Sequence, residues 1–318
     1  MDETTHPTGR RRAPRARWRM PWFALATAVV FVLGTLVLLA PTISNWLTQL
    51  EQASRIDDVT EASVSLSEQA RLDAIRDAKL YNTTLIGGAV VAANERLPLA
   101  ADDPTIGALE YADLLRASDD GLIGRVKISV IGVDQPIYHG TSDAVLEIGV
   151  GHLEGTSLPV GGVGTRTVLT AHRGLATSEL FTNLDRIEIG DTFTLEVFGD
   201  VLTYQVVTTE VVDPSDSRAL YPSADRDLAT LVTCTPLGIN SHRILVTGER
   251  VLPTPSADLA RAGEGPQIPG FPWWILILGC LVIAAGIYVW LAGFPPRQRR
   301  RTRADEPSEA PQIGLETR

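Results

Sequence analysis

Between two long apolar runs, this 318-residue chain holds one cysteine, Cys234. A thiol can act as a nucleophile when its thiolate is available, a partner moves its proton, and donors meet the developing oxyanion. The stretch Thr230-Leu231-Val232-Thr233-Cys234-Thr235-Pro236 puts Cys234 at a strand end. Pro236 lacks an N–H and stops regular pairing there. Gly238 and Asn240 are turn formers, and Arg243 opens the next β run, Arg243-Ile244-Leu245-Val246-Thr247. If the two runs form a hairpin, Cys234 and Arg243 stand side by side at its mouth. The guanidinium would then lower the thiol pKa, bind an oxyanion, or do both. Arg243 by itself reads as a solvated surface charge; its place beside Cys234 gives it a chemical role.

Four histidines in the same region could move the proton: His139, His152, His172 and His242. His242 neighbours Arg243 in a strand, so the two side chains should face opposite ways. His172 closes the run Val168-Leu169-Thr170-Ala171-His172 and precedes the turn Arg173-Gly174. His139 and His152 lie among glycines in expected loops, where a histidine is more often structural. Position favours His172 modestly. A metal site is not indicated, because neither paired cysteines nor a His-x-x-x-His spacing is present. Gly161-Gly162-Val163-Gly164 is a turn cluster rather than a phosphate loop, so no cofactor is expected.

Short alternating runs must position these groups. Residues 125–130, 192–197 and 202–207 alternate, and Thr167–Thr170, Leu228–Thr233 and Ile244–Thr247 are further β-rich runs. With turn formers between them, they predict an all-β barrel or sandwich without βαβ alternation. Residues 44–80 lack Gly and Pro and space their apolar residues helically, which predicts a helix or helix pair. Residues 81–120 read as a loop with one short helix around Leu109 to Ala117, and residues 252–270 as a linker rich in Pro, Gly and Ala.

The apolar runs Pro21–Ala40 and Phe271–Phe294 carry no charge, and each is long enough for one bilayer crossing. Arginine clusters at 10–19 and 297–303 flank them. Lys and Arg beside a span favour the cytoplasmic side, so both tails face in and residues 41–270 lie outside. The first run exceeds a usual signal core and ends at Pro41, which favours an uncleaved anchor over a cleaved signal peptide. Cys280 sits inside the second run as a small apolar filler. Cys234 is thus a leftover thiol outside the membrane, either reactive or buried and inert. The tails carry +4 and +2, so the remainder must carry −16 to give the total of −10. Such a surface repels nucleic acid and anionic headgroups.

The segment TLVTCTPLGINSHRILVTGER resembles the active-site strand pair of sortases, closely that of the pilin-polymerising class C group. PIYHGTSDAVLEIGVGHLEGTSLPVGG, VLTAHRG and LFTNLDRIEIGDTFTLEV resemble the same group, so the similarity covers about residues 121–251. The resemblance implies an all-β fold, an eight-stranded sortase-like β-barrel with short helices. It implies Cys234 as nucleophile, His172 as its proton-transfer partner and Arg243 as the stabilising arginine. The implied partners are a pilin or surface protein with a C-terminal LPxTG-like sorting signal, and an amine acceptor. That acceptor is a pilin lysine or a cell-wall precursor amine.

The expected organisation is a cytoplasmic basic tail (1–20), a transmembrane helix (21–40) and an extracellular helical stalk with a lid-like segment (41–120). The catalytic barrel (121–251), a linker (252–270), a second transmembrane helix (271–294) and a cytoplasmic tail (295–318) follow. A cysteine protease that releases the acyl group to water, and a non-catalytic membrane scaffold with an inert thiol, are the competing readings. Class C lids usually carry Asp-Pro followed by an aromatic that plugs the site; here Asp103-Pro104 is followed by Thr105. Deleting residues 101–106 is therefore expected to change Cys234 alkylation less than in a lid with the aromatic. A large jump in labelling rate on deletion would count against that.

Overall fold

The computed structural model describes residues 17–85, 110–174, 179–266 and 268–294. Helices α1 (Trp22–Ser65) and α2 (Glu68–Leu85) lead into strands β1 (Leu122–Ile128) and β2 (Val133–His139). Then come α3 (Asp143–Ile148), β3 (Val150–His152), β4 (Thr165–Thr170), β5 (Thr192–Val197) and β6 (Asp200–Val212). Strands β7 (Asp227–Thr235) and β8 (His242–Arg250) precede helices α4 (Ser256–Ala260) and α5 (Trp273–Ala292).

The chain divides into two compact units. One comprises residues 1–38 with 275–318, the other Leu39–Trp274. In the first, both helical segments are long and apolar enough to cross a membrane. Their hydroxyls stay satisfied within the helix: Thr27 Oγ1 donates to Phe23 O and Thr35 Oγ1 to Phe31 O. A bilayer core demands this internal pairing of polar groups. The α5 helix is apolar all round and buries no residue within its unit. Helix α1 continues through Pro41, although proline removes one i→i−4 bond.

The second unit is a closed barrel with strand order β1-β2-β3-β4-β7-β8-β6-β5, the eight-stranded architecture implied by the sequence resemblance. Most neighbours are antiparallel, but β2–β3 and β4–β7 run parallel. The β2–α3–β3 crossover is a βαβ unit that the sequence pattern concealed. Its strand β2 is buried on both sides and includes Asp134, Gln135 and Pro136, so no alternation shows. Its partner β3 is three residues long.

One end of the interior is closed by α2. Ile75, Ala78, Tyr81 and Leu85, at helical spacing, join the barrel core. The buried amide of Asn82 pairs with Leu158 like a strand: Nδ2 donates to Leu158 O at 3.0 Å, and Oδ1 accepts from Leu158 N at 2.7 Å. On β1, Arg125 is 1% exposed and forks onto both Asp134 oxygens at 2.6 Å. Its Nη1 donates to Glu264 O at 2.7 Å, which ties the stretch after α4 to the barrel wall. A bidentate, fully hydrogen-bonded pair is the form in which a buried guanidinium is tolerated.

The expected helix around 109–117 is instead a 3-10 turn, Tyr111–Asp113, and the expected linker contains α4. His139 and His152 close strands β2 and β3 rather than sitting in loops. The His152 ring is completely buried. Its Nε2 lies 2.9 Å from Ser157 O, an acceptor only, so Nε2 carries the proton. Nδ1 therefore accepts from Tyr111 OH at 2.8 Å, and that hydroxyl accepts from Gly140 N at 3.0 Å. This network pins the chain directly after residues 86–109.

Burial pushes the His152 pKa down to about 4, with the neighbouring His139 acting in the same direction and the Ser157 bond opposing it. The unfolded chain protonates near 6.5 and the folded one only near 4, so acid favours unfolding across that window. The loss is absent above pH 6.5, grows as pH falls, and saturates below about 4 at on the order of 3 kcal/mol. Replacing His152 by Asn should flatten the melting-temperature profile between pH 7 and 4 relative to wild type. Parallel profiles for the two proteins would contradict this.

Candidate active site

The hairpin expected from the sequence is present. Strands β7 and β8 pair antiparallel, with Cys234 opposite Arg243 and Thr235 opposite His242. Directly opposed residues project from the same face. The turn between them is closed by Ile239 N and Asn240 N donating to Pro236 O. Gly238 and Asn240 adopt φ of 79° and 59°, the left-handed region that these two residue types enter most readily.

Alternation along β7 decides which face that is. Ala229 and Leu231 belong to the barrel core. Val232 and its partner Leu245 belong to a separate cluster with Val168, packed against Leu153, Val212, Ala219 and Leu220. Cys234 and Arg243 continue that outer face, both half-buried. Cys234 thus lies two residues beyond the buried Val232 on this strand face. Val168, Val232 and Leu245 are themselves buried, with Leu153, Val212, Ala219 and Leu220 packed against them.

His172 arrives from the other side of β7. Strand β4 runs parallel to β7, with Val168 opposite Thr230 and Thr170 opposite Val232. The register persists one residue past the strand: Ala171 N donates to Val232 O at 3.2 Å, and the buried Thr233 Oγ1 donates to Ala171 O at 2.8 Å. His172 follows Ala171 directly, one residue beyond the last bonded position, as Cys234 follows Thr233. Neighbouring strands lie about 4.8 Å apart. Phe181 N donates to His172 O and holds the exit of β4.

The ladder therefore gathers Cys234, His172 and Arg243 at one barrel end. Of the other three candidate histidines, His139 and His152 are engaged in the Tyr111 network. His242 shares this barrel end, opposite Thr235, but is exposed, with Nδ1 2.8 Å from Ser241 Oγ. Arg243 Nη1 donates at 3.0 Å to both Asn240 O and His242 O, which holds the guanidinium against the turn. The lid residues Asp103 and Pro104 lie outside the described residues.

A sortase domain model matches residues 126–251, the stretch that contains all three groups. Sortase C1 of GBS pilus island 1 is 40% identical, with a TM-score of 0.56 over 63% of this chain and 92% of that one. The chain belongs to the sortase family.

A second solved structure, Streptococcus pneumoniae sortase C, is 40% identical to this sortase, with a TM-score of 0.55 over 62% of this chain and 96% of that one. Both neighbours are class C sortases. Sortase D of Bacillus subtilis strain 168 is 30% identical over 131 residues. That match covers 40% of this chain and 63% of the curated relative, so the chain spans just under two thirds of its length.

Two features of this sortase escaped the sequence pattern. Thr233 reads as one more polar residue in an alternating strand, yet its hydroxyl bridges β7 to the backbone before His172. Arg173 reads as a turn residue, yet it reaches Thr235. The available signal was adjacency, since each stands next to a chemical residue. Thr233→Val leaves the shape intact and removes the bond to Ala171 O. It should cost about 1–3 kcal/mol in denaturant unfolding, and a change of only a few tenths would refute that.

Proposed function

We propose that this protein is a cysteine transpeptidase that cleaves an LPxTG-like sorting signal between Thr and Gly and passes the acyl group to an amine. The observation that supports the reading is a ladder that sets a strand-end cysteine directly opposite an arginine and, on its other edge, ends one residue before a histidine.

In this mechanism His172 takes the thiol proton as Sγ of Cys234 bonds to the Thr carbonyl carbon. The carbonyl π pair moves onto oxygen, and Arg243 stabilises that oxyanion with guanidinium donors. Collapse breaks the C–N bond, and the leaving glycine amine takes the proton from His172. The product is a thioester on Cys234. An incoming amine then attacks the thioester carbonyl and gives His172 its proton; the C–S bond breaks, and the proton returns to sulfur. Atoms and charge balance without a cofactor.

The acceptor is a pilin lysine or a cell-wall precursor amine, and the donor a pilin or surface protein. Supporting the pilin reading, the Streptococcus pneumoniae sortase C structure is described in terms of pilin substrate specificity. The site would face the extracellular side, with residues 1–20 and 295–318 as cytoplasmic tails. The segment 41–120, including Asp103 and Pro104, would act as stalk and lid.

A sorting-signal peptide incubated with and without a primary amine tests the reading. Transfer requires an amine-dependent ligated product and a Cys234-linked acyl-enzyme visible by mass spectrometry. Free acid as the sole product would replace transfer with proteolysis. Cys234→Ala should abolish turnover, His172→Ala should lower it about 10²–10⁴-fold, and Arg243→Ala about 10²–10³-fold. Full activity in a folded variant removes that residue from the mechanism.

A further inference from the structure

Arg173 follows His172, and Thr235 follows Cys234. The guanidinium of Arg173 joins these two positions: Nη1 donates to Thr235 Oγ1 at 2.9 Å. Nε donates to Thr182 O at 3.1 Å, and Nη2 pairs with Asp185 Oδ2 at 2.6 Å. All three nitrogens are engaged, and the side chain is only 11% exposed. The loop it reaches is itself tied back, because Gly174 N donates to Thr182 Oγ1 at 3.0 Å. The two exits also touch beyond it. A Cβ at Gly174, whose φ is 74°, would sit 2.5 Å from a Leu237 methyl of the β7–β8 turn.

The location of this bridge matters. Main-chain pairing between β4 and β7 ends at Ala171, one residue before His172. Beyond that point nothing in the ladder sets the spacing of the two strand exits. Arg173 lies in the bend that follows β4 and is largely covered, so the bridge is a protein-to-protein contact. Asp185 compensates the charge, so the guanidinium is not left as an unpaired cation in a half-covered site.

We infer that Arg173 is a positioning residue that fixes the separation of His172 and Cys234 through its bond to Thr235. This rests on the proposed roles of those two residues. Proton transfer and attack both depend steeply on that separation, and a misplacement of about 1 Å can cost on the order of 10²-fold in rate. Each nitrogen of Arg173 is already engaged by a protein partner, so its loss should act on kcat more than on KM.

The test uses the full chain with a sorting-signal peptide and an amine. Arg173→Met keeps the apolar stem and removes all three donors; Thr235→Val removes only the acceptor and leaves the Asp185 pair intact. Both should lower kcat, Arg173→Met by about 10- to 100-fold, with KM within about twofold of wild type. The pH profile of Cys234 alkylation should move the same way in both. In the double variant Thr235→Val should add little to Arg173→Met, because both cut one bond. Arg173→Lys, with a single donor group, should recover part of kcat.

Wild-type kcat in folded Arg173→Met, or additive losses in the double variant, would overturn the inference. If Arg173→Met fails to fold, unchanged kcat in Thr235→Val overturns it alone. Activity in Cys234→Ala would instead sink the transpeptidase reading itself. An inactive Cys234→Ala beside unaffected Arg173 and Thr235 variants would sink only the bridge.

Discussion

The parallel pairing of β4 with β7 is the contact on which the rest of this sortase depends. It joins segments more than sixty residues apart, Thr165–Thr170 and Asp227–Thr235. It also fixes which residue of one stands level with which residue of the other. Side chains alternate with period two along a strand, so a slip of one residue would turn His172 to the other face. The hairpin β7–β8 is local and sets Cys234 against Arg243 by turn geometry alone. The imidazole, however, comes through the long-range contact.

Much of the fold can be understood as protection of that register. Barrel closure leaves no free strand edge along which β4 could slide. The core residues Leu169 and Leu231 are opposed across the pair and wholly buried, so a shift would expose both. At the far end of the barrel α2 seals the interior, and its Asn82 completes the backbone pairing of Leu158 before β4 begins. At the near end the ladder stops one residue short of His172, and polar side chains take over. Thr233 holds Ala171, and Arg173 spans the gap to Thr235. Rigid strands deliver the chemical groups to the rim, and short polar bridges set their final spacing.

The outer face continues the same logic. Val168, Val232 and Leu245 form an apolar cluster on the strand face that Cys234 continues, and the chain after β6 lays Ala219 and Leu220 against it. The Tyr111 hydroxyl bonds to both the ring and the carbonyl of His152, which fixes the chain at residue 111 against β3.

A large part of this was legible in the linear chain. Two uncharged runs with arginine flanks, a lone cysteine between them before Thr-Pro, a turn of Gly238 and Asn240, and an arginine opening the next strand are all local features. Local chemistry determines spans, turns and hairpins, because their partners lie within a few residues. Strands β2 and β3 were hidden, since one is buried on both sides and the other is too short to show a period. Composition and spacing favoured His172 only modestly among four histidines, while resemblance to sortases pointed to it directly. Its alignment with Cys234, and the reach of Arg173 to Thr235, were decided by tertiary structure alone. Both depend on a parallel register between distant strands, and that register is set by which side chains can be buried together in a closed barrel.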